Sequence, residues 1–393
     1  MEHGRAGEHA PGCQHLLLVG STGSIGENTL KVVRRHPDRF RIAGLTANNN
    51  WQRLVEQARE FRPRWVHVDE AHLHTLRTAL AGLDIEVLAG RQDLVDLPGR
   101  DGCDTLVSAI VGTRGLEPLM TAIRAGRRIC FANKEPLVTA GELVMGEVRR
   151  RGLTCLPIDS EHSAILQCLR GEDPASVRRV ILTASGGPFR TSTLEEFNGA
   201  TREQALKHPT WQMGAKITID SATMMNKALE VIEARWLYDL PGERIDVLIH
   251  PQSIVHSMVE FRDRSIKAQL GLPDMRIPIQ YALSYPEHLD LDMETVDWVG
   301  LGALTFEAVD ETKFRALPLA RQALERGQGA PCVLNAANEA AVELFLQGRL
   351  SFAGINDRVE EALASWQGRA ESLDDLMALD TETRERVLEK ADN

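Results

Sequence analysis

Asp159 and Glu161 stand two residues apart, and further along the run Ser221-Ala-Thr-Met-Met-Asn226-Lys227-Ala-Leu-Glu230 sets a third carboxylate beside a lysine and an amide. On an extended segment residues i and i+2 point to the same side, so the spacing predicts that Asp159 and Glu161 share a face. Two carboxylates held together repel and are costly to bury unless a cation neutralises them. In the second segment Thr223, Asn226, Lys227 and Glu230 fall at i, i+3, i+4 and i+7, one face of a helix predicted over Ser221–Leu237. Met224, Met225, Ala228, Leu229 and Ile232 make the rest of that helix apolar, so its polar stripe should line a cavity. There Glu230 would complete the ligands of a divalent cation, while Asn226 and Lys227 hold an anion. Each segment also has an ordinary reading. Asp159 can be a turn residue with Glu161 as the acid of a capped helix start, and Lys227 with Glu230 a surface pair.

The elements that would position these groups alternate along the first 158 residues. Short apolar runs at His15–Gly20, Arg41–Ala47, Trp65–Asp69, Ile85–Ala89, Thr105–Val111, Arg128–Ala132 and Thr154–Ile158 are separated by amphipathic stretches. That alternation predicts an α/β fold with a Rossmann-like, doubly wound parallel sheet over 15–158. Residues 1–14 lack the apolar core of a signal peptide and are expected to be a disordered lead-in. Gly20-Ser21-Thr22-Gly23-Ser24-Ile25-Gly26 joins the first strand to the first helix, where glycines permit a tight turn and a close approach to a pyrophosphate. A plain glycine-rich turn is the alternative. The second strand ends in Ala47-Asn48-Asn49-Asn50 with Arg53 just beyond. The missing carboxylate favours NADP over NAD, because an acid there would repel a 2′-phosphate. Asn133-Lys134-Glu135 follows a parallel strand, at the edge where ligands bind. Lys134 is expected to donate to a substrate hydroxyl while Asn133 and Glu135 face the cofactor, with a solvated strand-end loop as the alternative.

Beyond Asp159 the pattern predicts an α+β catalytic domain over 159–285 on a mostly antiparallel sheet. A lid is expected at about 186–216, a linker at 286–312 and a helical domain at 313–393, with helices at Lys313–Arg326, Cys332–Leu346, from Phe352 and at Thr381–Ala391. Ser185-Gly186-Gly187 and Ser221, with Asn226 and Lys227, make a candidate phosphate cradle. His208, Trp211 and Met213 fall on the lid, where a tryptophan can cover the substrate or simply anchor the loop. His250 and His256 share no face and read as structural or interfacial; Asn335-Ala-Ala-Asn338-Glu339 reads as packing and capping.

The net charge of −11 argues against a nucleic-acid partner. Six cysteines without C-x-x-C spacing fit a reduced compartment, and no apolar run reaches membrane-span length, so a cytoplasmic location is expected. On these grounds alone the rivals are another two-domain NAD(P)-dependent dehydrogenase, of the homoserine or aspartate-semialdehyde type, and a nucleotide-sensing module.

GSTGSIG, AIVG (Ala109–Gly112), ANKE (Ala132–Glu135), DSEH (Asp159–His162), SGGPFR (Ser185–Arg190), HP-W-MG (His208–Gly214), DSATMMNK (Asp220–Lys227), HPQS (His250–Ser253) and NAANE (Asn335–Glu339) together resemble the blocks of the 1-deoxy-D-xylulose 5-phosphate reductoisomerase family, in the same order. The resemblance implies a homodimer with an N-terminal NADPH domain, a central catalytic domain and a C-terminal helical bundle. It implies that a sugar phosphate is rearranged and then reduced by hydride transfer. It makes Asp159, Glu161 and Glu230 ligands of Mg2+ or Mn2+, with Co2+ as a further ion, and gives Lys134 a place among the catalytic residues. Lys134, Ser160 and Asn226 become contacts to substrate hydroxyls and carbonyl. Ser185, His208, Ser221, Asn226 and Lys227 become the substrate set that includes the phosphate site. Thr22, Gly23, Ser24, Ile25, Asn133, Glu135 and Gly214 become cofactor contacts. Asn48-Asn49-Asn50 stands at the cofactor where many members have Gly-Lys-Asn, and Pro136 where Ser or Thr is usual.

Overall fold

The structure, a computed structural model, describes residues 12–208 and 214–390. The chain divides into two compact units. The first runs to Ala132 and adds Arg151–Leu156 and Leu283–Tyr285; the second holds Asn133–Arg150, Pro157–Ala282 and the chain from Pro286. The division departs from the expected boundaries in two places. Residues 133–150 group with the second unit, and the stretch 286–312 does not set the C-terminal helices apart from it.

The first unit is built on β1 (Gln14–Val19), β2 (Phe40–Thr46), β3 (Trp65–Val68), β4 (Glu86–Ala89), β5 (Thr105–Ser108), β6 (Arg128–Phe131) and β7 (Cys155–Pro157), in the order β4-β3-β2-β1-β5-β6-β7. Every pair from β4 to β6 is parallel. Leu16, Leu17 and Leu18 of β1 are wholly buried, as a strand covered on both faces requires. The strand order reverses between β1 and β5, the place where a doubly wound sheet opens a ligand crevice. β5 stops at Ser108, short of the expected Val111, whose side chain is exposed. After β1 the chain turns through Gly20, at φ 92°, into the helix Ser24–Arg35. A Cβ on Gly26 would lie 2.4 Å from the carbonyl oxygens of Gly20 and Ser21, so this glycine lets the helix close on its own loop.

In the second unit β8 (Val177–Ala184), β9 (Ile245–Ile249), β10 (Val255–Phe261) and β11 (Ile266–Leu270) form a sheet ordered β11-β10-β8-β9. β10 is antiparallel to both its neighbours, and β8 is parallel to β9. Four helices close the chain: Ala316–Arg326, Ala330–Leu346, Phe352–Ser365 and Leu373–Glu389. The last starts well before the expected Thr381, because Ser372 and Asp375 make a capping box there.

The described part of the expected lid, residues 186–208 and 214–216, carries regular structure and packed aromatic side chains. Thr193 with Glu196 and Thr201 with Gln204 cap two short helices, Leu194–Asn198 and Arg202–Ala205. Phe189 and Phe197 pack with Phe314 and Phe352 at ring separations of 5.0 to 5.9 Å. The buried ammonium of Lys313 donates to the carbonyls of Phe189, Arg190 and Ser192. Helices of one turn leave no periodic trace in the sequence, which is why the stretch reads there as a loop.

Candidate active site

Asp159 is not on an extended segment. It is the N-cap of the helix Ser160–Leu169, and Glu161 lies in that helix's first turn. An N-cap aspartate ordinarily accepts a backbone N–H of its own helix. The Asp159 carboxylate accepts none, and its Oδ2 lies 2.8 Å from Lys134 Nζ. Lys134 immediately precedes the helix Glu135–Arg151, and its carbonyl accepts from Leu137 and Val138.

The predicted helix Ser221–Leu237 is two helices, Ala215–Ala222 and Met225–Leu237, joined through Met224 at φ 62°. Thr223 therefore leaves the polar stripe. Its hydroxyl donates toward Ile219 and Asp220 carbonyls and accepts from the Met225 N–H, which seals the break. Asn226, Lys227 and Glu230 remain on one face, and Glu233 extends it by another turn. The sequence reading missed Glu233, although i+3 continuation from Glu230 was the available signal.

These pieces meet. Asp159, Glu161 and Glu230 each offer an oxygen within 4.8 Å of the others. Lys227 Nζ lies 2.8 Å from Glu161 Oε1 and 2.5 Å from Glu230 Oε2. Lys134 Nζ donates to Asn226 Oδ1 at 2.9 Å, and Asn226 Nδ2 donates to Glu230 Oε1 at 2.6 Å. Ser160 Oγ donates to Glu161 Oε2 at 2.6 Å.

Burial and the Glu161 carboxylate push Glu230 up to about 8. Burial and Asp159 likewise raise Glu233. Asp159 is held far below the usual carboxylate range, because Lys134 outweighs its burial. Burial also works against the charge on Lys134, but Asp159 and Glu230 outweigh it and the ammonium persists. Asp159, Glu161, Glu230 and Glu233 against Lys134 and Lys227 leave two negative charges when every carboxyl is ionised. One divalent cation cancels them. Without it, protons on Glu230 and Glu233 supply the missing positive charge. Hard carboxylate oxygens suit Mg2+ or Mn2+, so the residues fit such an ion.

His162, also missed as a site residue, lies beneath this cluster. Burial pushes its imidazole down to about 4, so the ring is neutral. Nε2 faces the Glu230 carbonyl at 3.0 Å and so carries the hydrogen. Nδ1 faces Glu233 Oε2 at 3.5 Å and Asp159 Oδ2 at 3.9 Å. Asp159, His162 and Glu233 also lie within 4.8 Å of one another. A second cation there would leave uncompensated positive charge, so we read His162 and Glu233 as support for Asp159.

Ser185 Oγ lies 3.2 Å from His208 Nε2 and accepts from the Gly187 N–H at 3.2 Å. Gly186 and Gly187 both have positive φ, and a Cβ on Gly187 would meet Ser221 O at 2.7 Å. Only a glycine lets this turn approach Ser221. Burial lowers the His208 pKa, so its ring is neutral near pH 7. Trp211 and Met213 lie outside the described residues. Gly214 is the N-cap of Ala215–Ala222. His250 uses both ring nitrogens on backbone, at the distant Thr305 O and the nearby Ile254 N–H, which makes it structural.

In the first unit, Gly23 caps Ser24–Arg35 without a side-chain bond, which leaves the helix's first N–H groups open to an anion beside Thr22, Ser24 and Ile25. Asn48, Asn49 and Asn50 are exposed at the end of β2, and Asn50 Oδ1 accepts from the Arg53 N–H. The Arg53 guanidinium is bound to Glu27 and Glu56. Those two acids hold it beside the first helix rather than leaving it extended toward the asparagines. Asn133 and Glu135 are buried, and Glu135 lies 3.3 Å from Lys216 Nζ.

A doubly wound nucleotide-binding unit and a largely enclosed cluster of three carboxylates that fits a divalent cation are the marks of an oxidoreductase class that uses both a dinucleotide and a metal. The family model described as 1-deoxy-D-xylulose 5-phosphate reductoisomerase matches residues 16–141, and those for its C-terminal domains match 155–238 and 270–386. A 1-deoxy-D-xylulose 5-phosphate reductoisomerase from Chloroherpeton thalassium is 51% identical over 381 residues, covering 96% of this chain and 98% of the relative. A crystal structure of DOX-P reductoisomerase in complex with NADPH, fosmidomycin and magnesium superposes with TM-score 0.92 at 41% identity, covering 96% of this chain and 98% of that one. The Zymomonas mobilis enzyme in complex with NADPH gives TM-score 0.91 at 42% identity, covering 96% and 99%. The chain belongs to the 1-deoxy-D-xylulose 5-phosphate reductoisomerase family.

Proposed function

We propose that the protein converts 1-deoxy-D-xylulose 5-phosphate to 2-C-methyl-D-erythritol 4-phosphate, using NADPH and a divalent cation. The observation that carries this reading is the convergence of Asp159, Glu161 and Glu230 with two buried lysines. Those three carboxylates would hold Mg2+ or Mn2+. When bound, the cation supplies Lewis acidity at the substrate oxygens and NADPH supplies the hydride. Lys134 and Asn226 stand against the carboxylates and can orient a hydroxyl or carbonyl oxygen there. Ser160 fixes the second oxygen of Glu161. Ser185, neutral His208 and Ser221 offer donors to a phosphoryl group, and the Gly187 N–H orients the Ser185 hydroxyl. Binding energy collected at that end can orient the reacting end without taking part in the chemistry.

Substrate-dependent NADPH oxidation is the test. Activity should fall to background in EDTA and return with Mg2+ or Mn2+. Oxidation indifferent to EDTA would instead favour a dehydrogenase of the homoserine type, which does not require this carboxylate cluster.

We also infer a homodimer. β9's outer edge carries a bridge to Glu307, whereas β11 is an open edge with Ile266 53% and Leu270 36% exposed. An unpaired apolar edge invites a second strand. Trp298, Val299 and Phe306 add exposed apolar surface. Sedimentation should give a dimer mass, with Ile266→Lys shifting it to monomer; a dimer untouched by that change would place the interface elsewhere. All six cysteines are free thiols, which supports a reducing compartment such as the cytoplasm. Among the described residues no helix is long and apolar enough to cross a membrane.

A further inference from the structure

A second polar network lies in the same unit as the carboxylate cluster, and of its members only Glu135 was given a role above, as an expected cofactor contact. Lys216, in the first turn of Ala215–Ala222, places Nζ 2.8 Å from Asp220 Oδ2 and 3.3 Å from Glu135 Oε1. The other oxygen of Asp220 accepts from Asn338 Nδ2 at 2.8 Å. Asn338 belongs to the C-terminal helix Ala330–Leu346, within the Asn335-Ala-Ala-Asn338-Glu339 run that the sequence reading left to packing. Its neighbour Glu339 is held by Asn335 at 3.1 Å and by Arg384 of the last helix at 2.6 Å. Exposure is 6% at Glu135, 1% at Asp220 and 0% at Asn338, while the Lys216 side chain is 22% exposed, so solvent reaches the lysine but scarcely its partners.

Glu135 and Lys134 are consecutive, and the Lys134 carbonyl starts the helix on which Glu135 is the first residue. Whatever fixes the Glu135 side chain therefore fixes the backbone that carries Lys134. We infer that Lys216, anchored from the C-terminal helices through Asp220 and Asn338, is a positioning residue that holds the Lys134–Glu135 turn in register with the carboxylate cluster. Its catalytic consequence rests on the reading of Lys134 given above; its structural part does not. Burial alone would drive the proton off Lys216, but Asp220 and Glu135 outweigh it, so the ammonium persists as the link.

The test compares Lys216→Met, Lys216→Arg, Asn338→Leu and the Lys216→Met/Asn338→Leu double variant, each in the full chain. Amide hydrogen exchange over residues 134–140 should quicken about tenfold in Lys216→Met, and the conservative Lys216→Arg should restore it to within about threefold. Asn338→Leu should loosen the same amides. If Asn338 acts through Lys216, the double variant should be no worse than Lys216→Met alone. Turnover should follow, with kcat down about tenfold in Lys216→Met and the sugar-phosphate KM within about threefold. Unchanged exchange over 134–140 in Lys216→Met would overturn the inference. Additive losses in the double variant would remove the C-terminal helices from the chain of contacts. Should Lys216→Met not fold, Asn338→Leu carries the same exchange readout, and unaltered amides there would overturn the anchor. Exchange is read without substrate, so a wild-type protein that failed to turn over the sugar phosphate would refute the proposed reaction and leave the exchange result standing.

Discussion

Glu230→Gln is expected to lower kcat by at least about a thousandfold at saturating Mg2+ while the Kd for NADPH stays within about threefold. Glutamine keeps the length of the side chain and its place on the Met225–Leu237 helix, so packing is conserved. It removes one of three charges arranged around a common point. It also turns an acceptor into a donor: Asn226 Nδ2 and Lys227 Nζ both approach the Glu230 oxygens as donors, at 2.6 and 2.5 Å, and one would face an amide NH2. The damage is therefore to the cation site and to the two side chains expected to orient substrate. The glycine-rich turn of the first unit is untouched, so binary NADPH binding, read by fluorescence titration, should survive. Turnover near that of the wild type would mean that Glu230 is not a cation ligand and that Asp159 and Glu161 find their third partner elsewhere.

The residues of this site were legible in the sequence for a reason that did not depend on the predicted elements. The expected strand at Asp159 is a helix cap and the expected single helix over Ser221–Leu237 is broken at Met224, yet the three acids converge. Carboxylates two residues apart can meet whether they stand on a strand or straddle a helix start, so spacing survived a wrong backbone. The parallel sheet was legible because its strands are continuous apolar runs, and most ends fall within a residue of the expected ones. What stayed hidden was of two kinds. The helices Leu194–Asn198 and Arg202–Ala205 are too short to show a period, so the segment that contains them read as loop throughout. The other kind is pairing. Arg53 shows no partner in the sequence, and only the fold brings Glu27 against it beside the local Glu56. Likewise Lys216 and Asp220 are a local i, i+4 pair, but Glu135 and Asn338 lie far from them in sequence, and no local pattern announces that the four side chains form one chain of contacts.

Cation binding to the ion-free protein at pH 7 should release at least one proton, from Glu230 and with it Glu233, and the apparent affinity should climb by about tenfold or more per pH unit until pH nears 8. The sign follows from Glu230. Its carboxyl is pushed up to about 8 by burial and by Glu161, so at pH 7 most molecules hold a proton there. A cation needs the carboxylate and must displace that proton. Asp159 is already ionised and contributes none. Above pH 8 Glu230 has lost its proton and affinity should level off. Stability carries the same signature. An unfolded glutamate ionises near 4.5, so Glu230 should cost the ion-free fold stability as pH rises from there to about 8, and Glu233, raised in the same way, adds to the loss. Added Mg2+ offsets that loss, so the rise in Tm it produces should be larger at pH 8 than at pH 5. Titration calorimetry in buffers of different ionisation enthalpy counts the protons directly. A count near zero at pH 7, with affinity flat from pH 6 to 8, would show that Lys134 and Lys227 alone suffice to keep Glu230 ionised. The cation would then enter a site already held open by the two ammonium groups, and its binding would have to move them rather than a proton.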